Sequence, residues 1–306
     1  VGLINARNEV ESVQTWIDNP VLGDTLIESR YSEYRDHDGL RFPAHIVRSQ
    51  GGHPVLDLQV TDVKLNPQLA FAVPEPVAKA DAAIIKVDDS LIAPGVHYLT
   101  GGSHHSLAIE QKDHVVVVEA PQHEARSLAV IGKVHELIPG KPIRYLINTH
   151  AHFDHAGGLR AYVDEGATIV THARNRSYYE KAWAAPRTLN PDRLAASNKA
   201  ASFETFTDLH LLDDGTRKIE IHPIAGNGHN DAFALVYLPA EKLLVEADAY
   251  TPLPTTAPLP TSRNPFAENL LDNVQTLKLD VKQIAALHGP GLVPLSSLQA
   301  VVTAAK

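Results

Sequence analysis

One stretch constrains this chain more than any other. Ile143-Arg144-Tyr145-Leu146-Ile147-Asn148 runs through Thr149 into His150-Ala151-His152-Phe153-Asp154-His155. The apolar run reads as a buried strand, and Gly157-Gly158-Leu159 beyond it reads as a turn into a helix. Three histidines and one aspartate therefore crowd a loop at the carboxyl end of a strand, which is where open α/β sheets carry their active sites. On a helix, His150 and His152 would face different sides; on a tight loop they can converge. Imidazole nitrogens and carboxylate oxygens are the ligands that zinc and similar divalent ions take. The fold must present such a loop at a sheet edge.

The surrounding pattern is that of an α/β protein. From about residue 90 onward, Val96-His97-Tyr98-Leu99-Thr100, Ser106-Leu107-Ala108-Ile109-Glu110 and His114-Val115-Val116-Val117-Val118-Glu119 are strand-like, as is Ala167-Thr168-Ile169-Val170-Thr171. Helices are predicted from Glu124 to Leu137, ended by Pro139-Gly140, and over 174–200, over 266–278 behind Asn264-Pro265, and over 295–305. Strands interleaved with covering helices predict a layered domain over residues 90–306. Residues 1–72 differ. Alternating runs between the turns Asp36-His37-Asp38-Gly39 and Gly51-Gly52 predict a small antiparallel β module. The spacing of Leu3, Val10, Val13 and Ile17 predicts that this module opens with a helix over residues 1–17. Residues 73–89, with Pro74 and Pro76, read as a linker.

Composition removes several functions. The formal net charge is −9 and there is no Lys/Arg-rich block, which argues against a nucleic-acid partner and leaves a small-molecule substrate. No apolar run is long enough to span a bilayer. Oligomerisation is left open, with a homo-oligomer compatible. Cysteine is absent, so thiolate ligands, disulfides and cysteine nucleophiles are excluded and any metal must be held by histidine and carboxylate. Methionine is absent too, so Val1 is not a translation start and the chain is expected to be processed or trimmed. A periplasmic or secreted location is expected over the cytoplasm.

Three further positions stand at strand ends. His229 lies in Gly226-Asn227-Gly228-His229, Asp248 ends Lys242-Leu243-Leu244-Val245-Glu246-Ala247, and His288 ends Gln283-Ile284-Ala285-Ala286-Leu287 before Gly289-Pro290. Together with His150-x-His152-x-Asp154-His155, in this order and with intervals of 19 and 40 residues between the last three, they resemble the metallo-β-lactamase-fold hydrolases over about residues 90–306. The resemblance implies an αββα sandwich with a binuclear metal centre at one edge. It implies one ion on His150, His152 and His229, a second on Asp154, His155 and His288, and Asp248 bridging the two. Two divalent ions are implied, zinc first, with iron or manganese as alternatives. The activity implied is hydrolysis by a metal-bridging hydroxide, with Asp154 orienting the nucleophile.

The chain departs from the family's common pattern at three places. Asn230 follows the third histidine, Ala247 precedes the bridging aspartate, and Glu119 ends a strand where an aspartate is usual. These point to a divergent branch. The expected substrate carries an ester-type bond, such as a lactone, thioester or carboxylic ester. The alternatives are β-lactamase, sulfatase or phosphodiesterase chemistry at the same site, a mononuclear iron persulfide dioxygenase, or a binding protein with a vestigial centre. Tyr250, two residues beyond Asp248, is a candidate oxyanion donor. His104 and His105 in Gly101-Gly102-Ser103-His104-His105 either line the cleft or decorate an exposed turn. Tyr178, Tyr179 and Trp183 read as helix core more readily than as a lid, and His172 as structural.

Overall fold

Runs of valine and isoleucine buried on both faces set the architecture. The computed structural model describes residues 1–80, 84–254 and 256–304. Residues 81–83 of the expected linker, Thr255 and residue 305 of the expected last helix lie outside the described residues. The chain divides into two compact units. One comprises Val1–Ile84 with Ala185–Asn190, and the other Ile85–Ala184 with Pro191–Lys306.

The first unit is a five-stranded antiparallel sheet in sequential order: β1 (Gly2–Ile4), β2 (Val10–Asn19), β3 (Gly23–His37), β4 (Leu40–Gln50) and β5 (His53–Gln59). The predicted module is there, but its predicted opening helix is not. Val10, Val13, Thr15 and Ile17 are β-branched, which disfavours helix. Pairing of β2 to β3, from Ser12 opposite Arg30 to Asn19 opposite Gly23, outweighs the helix-like spacing of a few apolar residues. A short α1 (Glu75–Ala78) lies in the expected linker.

The second unit begins with a seven-stranded sheet: β6 (Asp88–Ala93), β7 (Val96–Thr100), β8 (Ser106–Glu110), β9 (Val115–Val118), β10 (Ile143–Ile147), β11 (Thr168–His172) and β12 (Ser202–Phe206). Strands β9 to β12 are parallel neighbours, joined through α2 (Glu124–Leu137), α3 (Phe153–Ala156), α4 (Leu159–Glu165), α5 (Ala173–Trp183) and α6 (Arg193–Ser197). The helix predicted over 174–200 is thus two helices with a break. Pro186 and Pro191 lack the amide that a continuous helix needs. A six-stranded sheet follows: β13 (His210–Asp213), β14 (Lys218–Pro223), β15 (Ala234–Leu238), β16 (Leu243–Glu246), then α7 (Pro265–Thr276), β17 (Gln283–Ala286), β18 (Leu292–Pro294) and α8 (Leu295–Ala304).

Strand periodicity makes the layers. Val116 and Val118 join Ile219, Ile221, Val236 and Val245 in the core between the two sheets. Val115 and Val117 point the other way, onto Val130 and Val134 of α2 and Leu159 of α4. Leu235, Leu244 and Ile284 on the outer face of the second sheet pack on Leu270 and Val274 of α7 and Leu298 of α8. The result is the expected αββα sandwich. The carboxyl ends of β10, β16 and β17 open at one edge.

Candidate metal centre

At that edge the structure brings together all seven ligand candidates read from the sequence, and adds an eighth residue. Ligand atoms of His150, His152, His229 and Asp248 lie within 4.8 Å of one another, as do those of His104, Asp154, His155 and His288. The four residues of the motif follow β10: His150 is buried, and His152, in extended conformation, precedes α3, whose single turn carries Asp154 and His155. Gly157 makes this turn, with its amide donating to the Phe153 carbonyl at 2.7 Å. A Cβ there would lie 1.8 Å from the Gln122 carbonyl oxygen, so only glycine fits.

Asp248 lies between the two groups. Its Oδ2 is 3.0 Å from Nε2 of His155 and 3.0 Å from Nε2 of His229, and its Oδ1 is 2.5 Å from Nδ1 of His288. It leaves β16 at φ 66°, a left-handed conformation that costs energy and that aspartate tolerates better than most residues. Burial pushes its carboxyl up, but His150, His155 and His288 outweigh this and hold it far below the usual carboxylate range.

The imidazoles are oriented from behind. Nδ1 of His155 faces Glu119 Oε2 at 2.6 Å, and Nδ1 of His150 faces Thr149 Oγ1 at 3.0 Å. Each arrangement leaves Nε2 aimed into the site. Glu119 also accepts from the Thr149 amide at 2.7 Å, so one buried carboxylate fixes both the strand end and a ring. Burial lowers the His155 pKa, but Asp248 and Glu119 reverse this and raise it to about 10. Burial dominates at His150 and His229, whose pKa values fall. At Asp154, burial pushes the carboxyl up, while His155 and His104 bring it net below its ordinary value.

The donor set fits cations. Nε2 of His150 and of His229 face each other at 3.3 Å, and at most one can carry a proton there. The buried Nε2 of His155 has one carboxylate oxygen at 3.0 Å, Asp248 Oδ2, and that oxygen is equally close to Nε2 of His229. One carboxylate does not satisfy four imidazoles. Two divalent ions among these nitrogens and the carboxylates of Asp154 and Asp248 would.

Two residues carry more than the sequence conveyed. Glu119 was visible as an acidic strand end, the same signal that marked Asp248. His104 follows a glycine pair and gave no sign of which strand it would meet. His105 is buried, and its Nε2 donates to the Gly289 carbonyl at 2.6 Å, so these two histidines do not decorate an exposed turn, although residues 101–103 are exposed. Tyr250 is placed differently from the ligands. Its ring packs in the core beneath α7, and it lines a cavity of roughly 340 Å³ with Thr251, Leu253, Arg263 and Phe266. The Phe266 ring meets that of His229 at 5.8 Å. Tyr179 stacks on Trp183 at 5.4 Å and is buried, as expected of helix core, while Tyr178 is exposed. His172 caps α5, accepting from the Arg174 amide at 3.3 Å.

The family model described as the metallo-beta-lactamase superfamily matches residues 99–284, more than half of the chain. Solved structures agree in fold. The mono-zinc form of the metallo-β-lactamase FIM-1 from Pseudomonas aeruginosa shares 20% identity at a TM-score of 0.51, covering 74% of this chain and 97% of its own. A metallo-β-lactamase from Hirschia baltica shares 19% at 0.52, covering 72% and 97%. One from Pontibacter korlensis shares 14% at 0.50 but covers 96% of this chain and 99% of its own. No curated protein matches the chain.

Proposed function

Because the chain belongs to the metallo-β-lactamase superfamily of hydrolytic metalloenzymes, we propose that it is a binuclear hydrolase of an ester-type bond, in a lactone, thioester or carboxylic ester. The observation that carries this reading is the place of Asp248. A carboxylate whose Oδ2 lies 3.0 Å from a histidine of each group is positioned to be shared by two ions. His150, His152 and His229 would hold one ion, and Asp154, His155 and His288 the other. Zinc suits this mixture of imidazole and carboxylate. When bound, such a pair supplies Lewis-acid chemistry, acidifying water and polarising a substrate oxygen.

The chain's own groups do the rest. Asp154 keeps its charge, because His155 and His104 outweigh burial and lower its pKa, so it is a hydrogen-bond acceptor that orients an attacking water. The cavity lined by Tyr250, Leu253 and Phe266 takes the acyl portion of the substrate, and its mixed lining suits a moderately apolar group. Burial raises the Tyr250 pKa, which keeps the phenol protonated as part of that cavity wall. The fold neighbours favour a second reading, β-lactam hydrolysis. A shared aspartate at position 248 supports the ester reading over it, because β-lactamases of this fold generally lack a carboxylate there.

The test is a panel of lactone, thioester, carboxylic ester, sulfate, phosphodiester and β-lactam substrates. The panel is run on zinc-, manganese- and iron-loaded enzyme and compared by kcat/KM. An ester-type substrate should dominate. Asp154→Ala and Asp248→Ala should each lower its kcat at least about 100-fold while leaving the circular dichroism unchanged, a loss typical of removing one positioned catalytic group. A β-lactam that wins the panel, or variants with full activity, would refute the proposal.

A further inference from the structure

His104 comes from outside the motif that defines the centre, yet the fold places it inside. It follows β7, and its segment pairs with the loop that carries His288. His104 and His288 form an antiparallel bridge, the His105 amide donates to the Leu287 carbonyl at 2.8 Å, and the Gly289 amide donates to the Ser103 carbonyl at 3.0 Å. The side chain of His105 adds its bond to the Gly289 carbonyl. Gly101, at φ 121°, starts this excursion where a Cβ would lie 1.8 Å from the Lys86 carbonyl oxygen. The segment is therefore built to one shape, and that shape sets the His104 ring against two rings of the centre. Its centroid is 4.0 Å from that of His288 and 5.1 Å from that of His155.

We propose that His104 is a metal ligand, joining Asp154, His155, His288 and the shared Asp248 as the fifth protein ligand of the second ion. This rests on the binuclear reading above. The ring has the orientation that ligation needs. Its Nδ1 faces Ser103 Oγ at 2.9 Å, so a proton on Nδ1 has an acceptor and the Nε2 lone pair is left for a cation. Nε2 lies 3.1 Å from Asp154 Oδ2, among the ligand atoms of that group. The competing role is a hydrogen bond from Nε2–H to Asp154, with no contact to the ion. The two roles need opposite tautomers. If His104 ligates, four residues of its own plus the shared Asp248 surround the second ion, against three plus Asp248 for the first. The second position is then the more closed and the more tightly held.

Loss of affinity in a His104 variant does not decide between these roles, because removing an outer hydrogen-bond partner also weakens a metal site, by roughly 10–100-fold. A count of ligand imidazoles does decide. In protein loaded with cobalt(II), each ligating histidine gives one strongly shifted, exchangeable ring N–H proton signal, readable by NMR without any substrate. Wild type should bind two cobalt ions by elemental analysis and show six such signals, from His104, His155 and His288 and from His150, His152 and His229. His104→Asn should lose one of the six. Two ions with five signals in wild type would overturn the proposal and leave the binuclear reading standing, whether or not the variant folds. Fewer than two ions would overturn both.

Discussion

The charge state of His155 shows what a cation has to displace. Without an ion, Asp248 and Glu119 keep this buried ring protonated up to a pH of about 10. A ligating nitrogen must be bare, so ion binding at pH 7 to 9 should expel about one proton from this ring. Because that proton is held more tightly than on a free histidine, metal affinity should rise with pH throughout this window. Calorimetric titration with zinc in buffers of different ionisation enthalpy reads the number directly. The apparent enthalpy should vary linearly with the buffer's, and the slope should fall by about one proton in His155→Ala. An enthalpy indifferent to buffer would sink the idea. Single residues also mark what the sequence could and could not convey. His150, His152, Asp154 and His155 were legible because four ligand types in six residues have few other uses. Glu119 was legible as a departure but not as the partner of His155, because that contact spans 36 residues and depends on β9 and β10 lying side by side. His104 was illegible as a ligand candidate for the same reason. Its neighbour His288 lies in the loop after β17 of the other sheet, and the bridge between them leaves no trace in local pattern.

Among the elements, β16 combines an apolar strand with a buried acid. Leu243, Leu244 and Val245 bury fully enough to specify the strand, but Glu246 is also buried, and one of its carboxylate oxygens has no hydrogen-bond partner among the described residues. The other accepts from the Tyr250 amide at 3.0 Å, which shapes the turn that presents Asp248. Burial raises the Glu246 pKa to about 8, so the native state keeps the acid neutral. An unfolded glutamate ionises near pH 4.5. The folded state therefore binds more protons between these values. The stabilising contribution is complete below about 4.5, declines as pH rises to about 8, and is constant beyond. Glu246→Gln keeps the shape and the acceptor without the charge. Thermal melts of metal-free protein should show a shallower fall in Tm between pH 5 and 8 for the variant than for wild type. Parallel curves would mean that Glu246 is ionised in the fold. Elements buried on both faces were the easiest to read from sequence, as β9 and β16 show. The misread segments were those where pairing or proline decides: β2, mostly exposed and held by its neighbours, and the break after α5 at Pro186 and Pro191.

Across the whole molecule, the eight residues of the centre come from both sheets. His104 and the 150–155 loop leave the first sheet, whereas His229, Asp248 and His288 leave the second. Ions bound there would tie the two halves of the sandwich at its open edge and offset part of the chain's net charge of −9. Each ion bound at 100 times its Kd should stabilise the native state by about 2.7 kcal/mol. For a protein of this size that corresponds to a rise in Tm of roughly 4 °C per site. Chelation should reverse the rise, and His152→Ala should remove a large part of it. The location of the effect is the sharper prediction. Every candidate ligand lies in the unit formed by Ile85–Ala184 and Pro191–Lys306, and none lies in the five-stranded sheet. Hydrogen exchange followed by segment should therefore slow on zinc addition around residues 148–156, 226–231, 246–250 and 287–289, while amides of β2, β3 and β4 exchange at unchanged rates. Equal protection in the five-stranded sheet would refute the assignment of metal stabilisation to one unit. Protection gained around 148–156 alone would show that zinc does not join the two sheets.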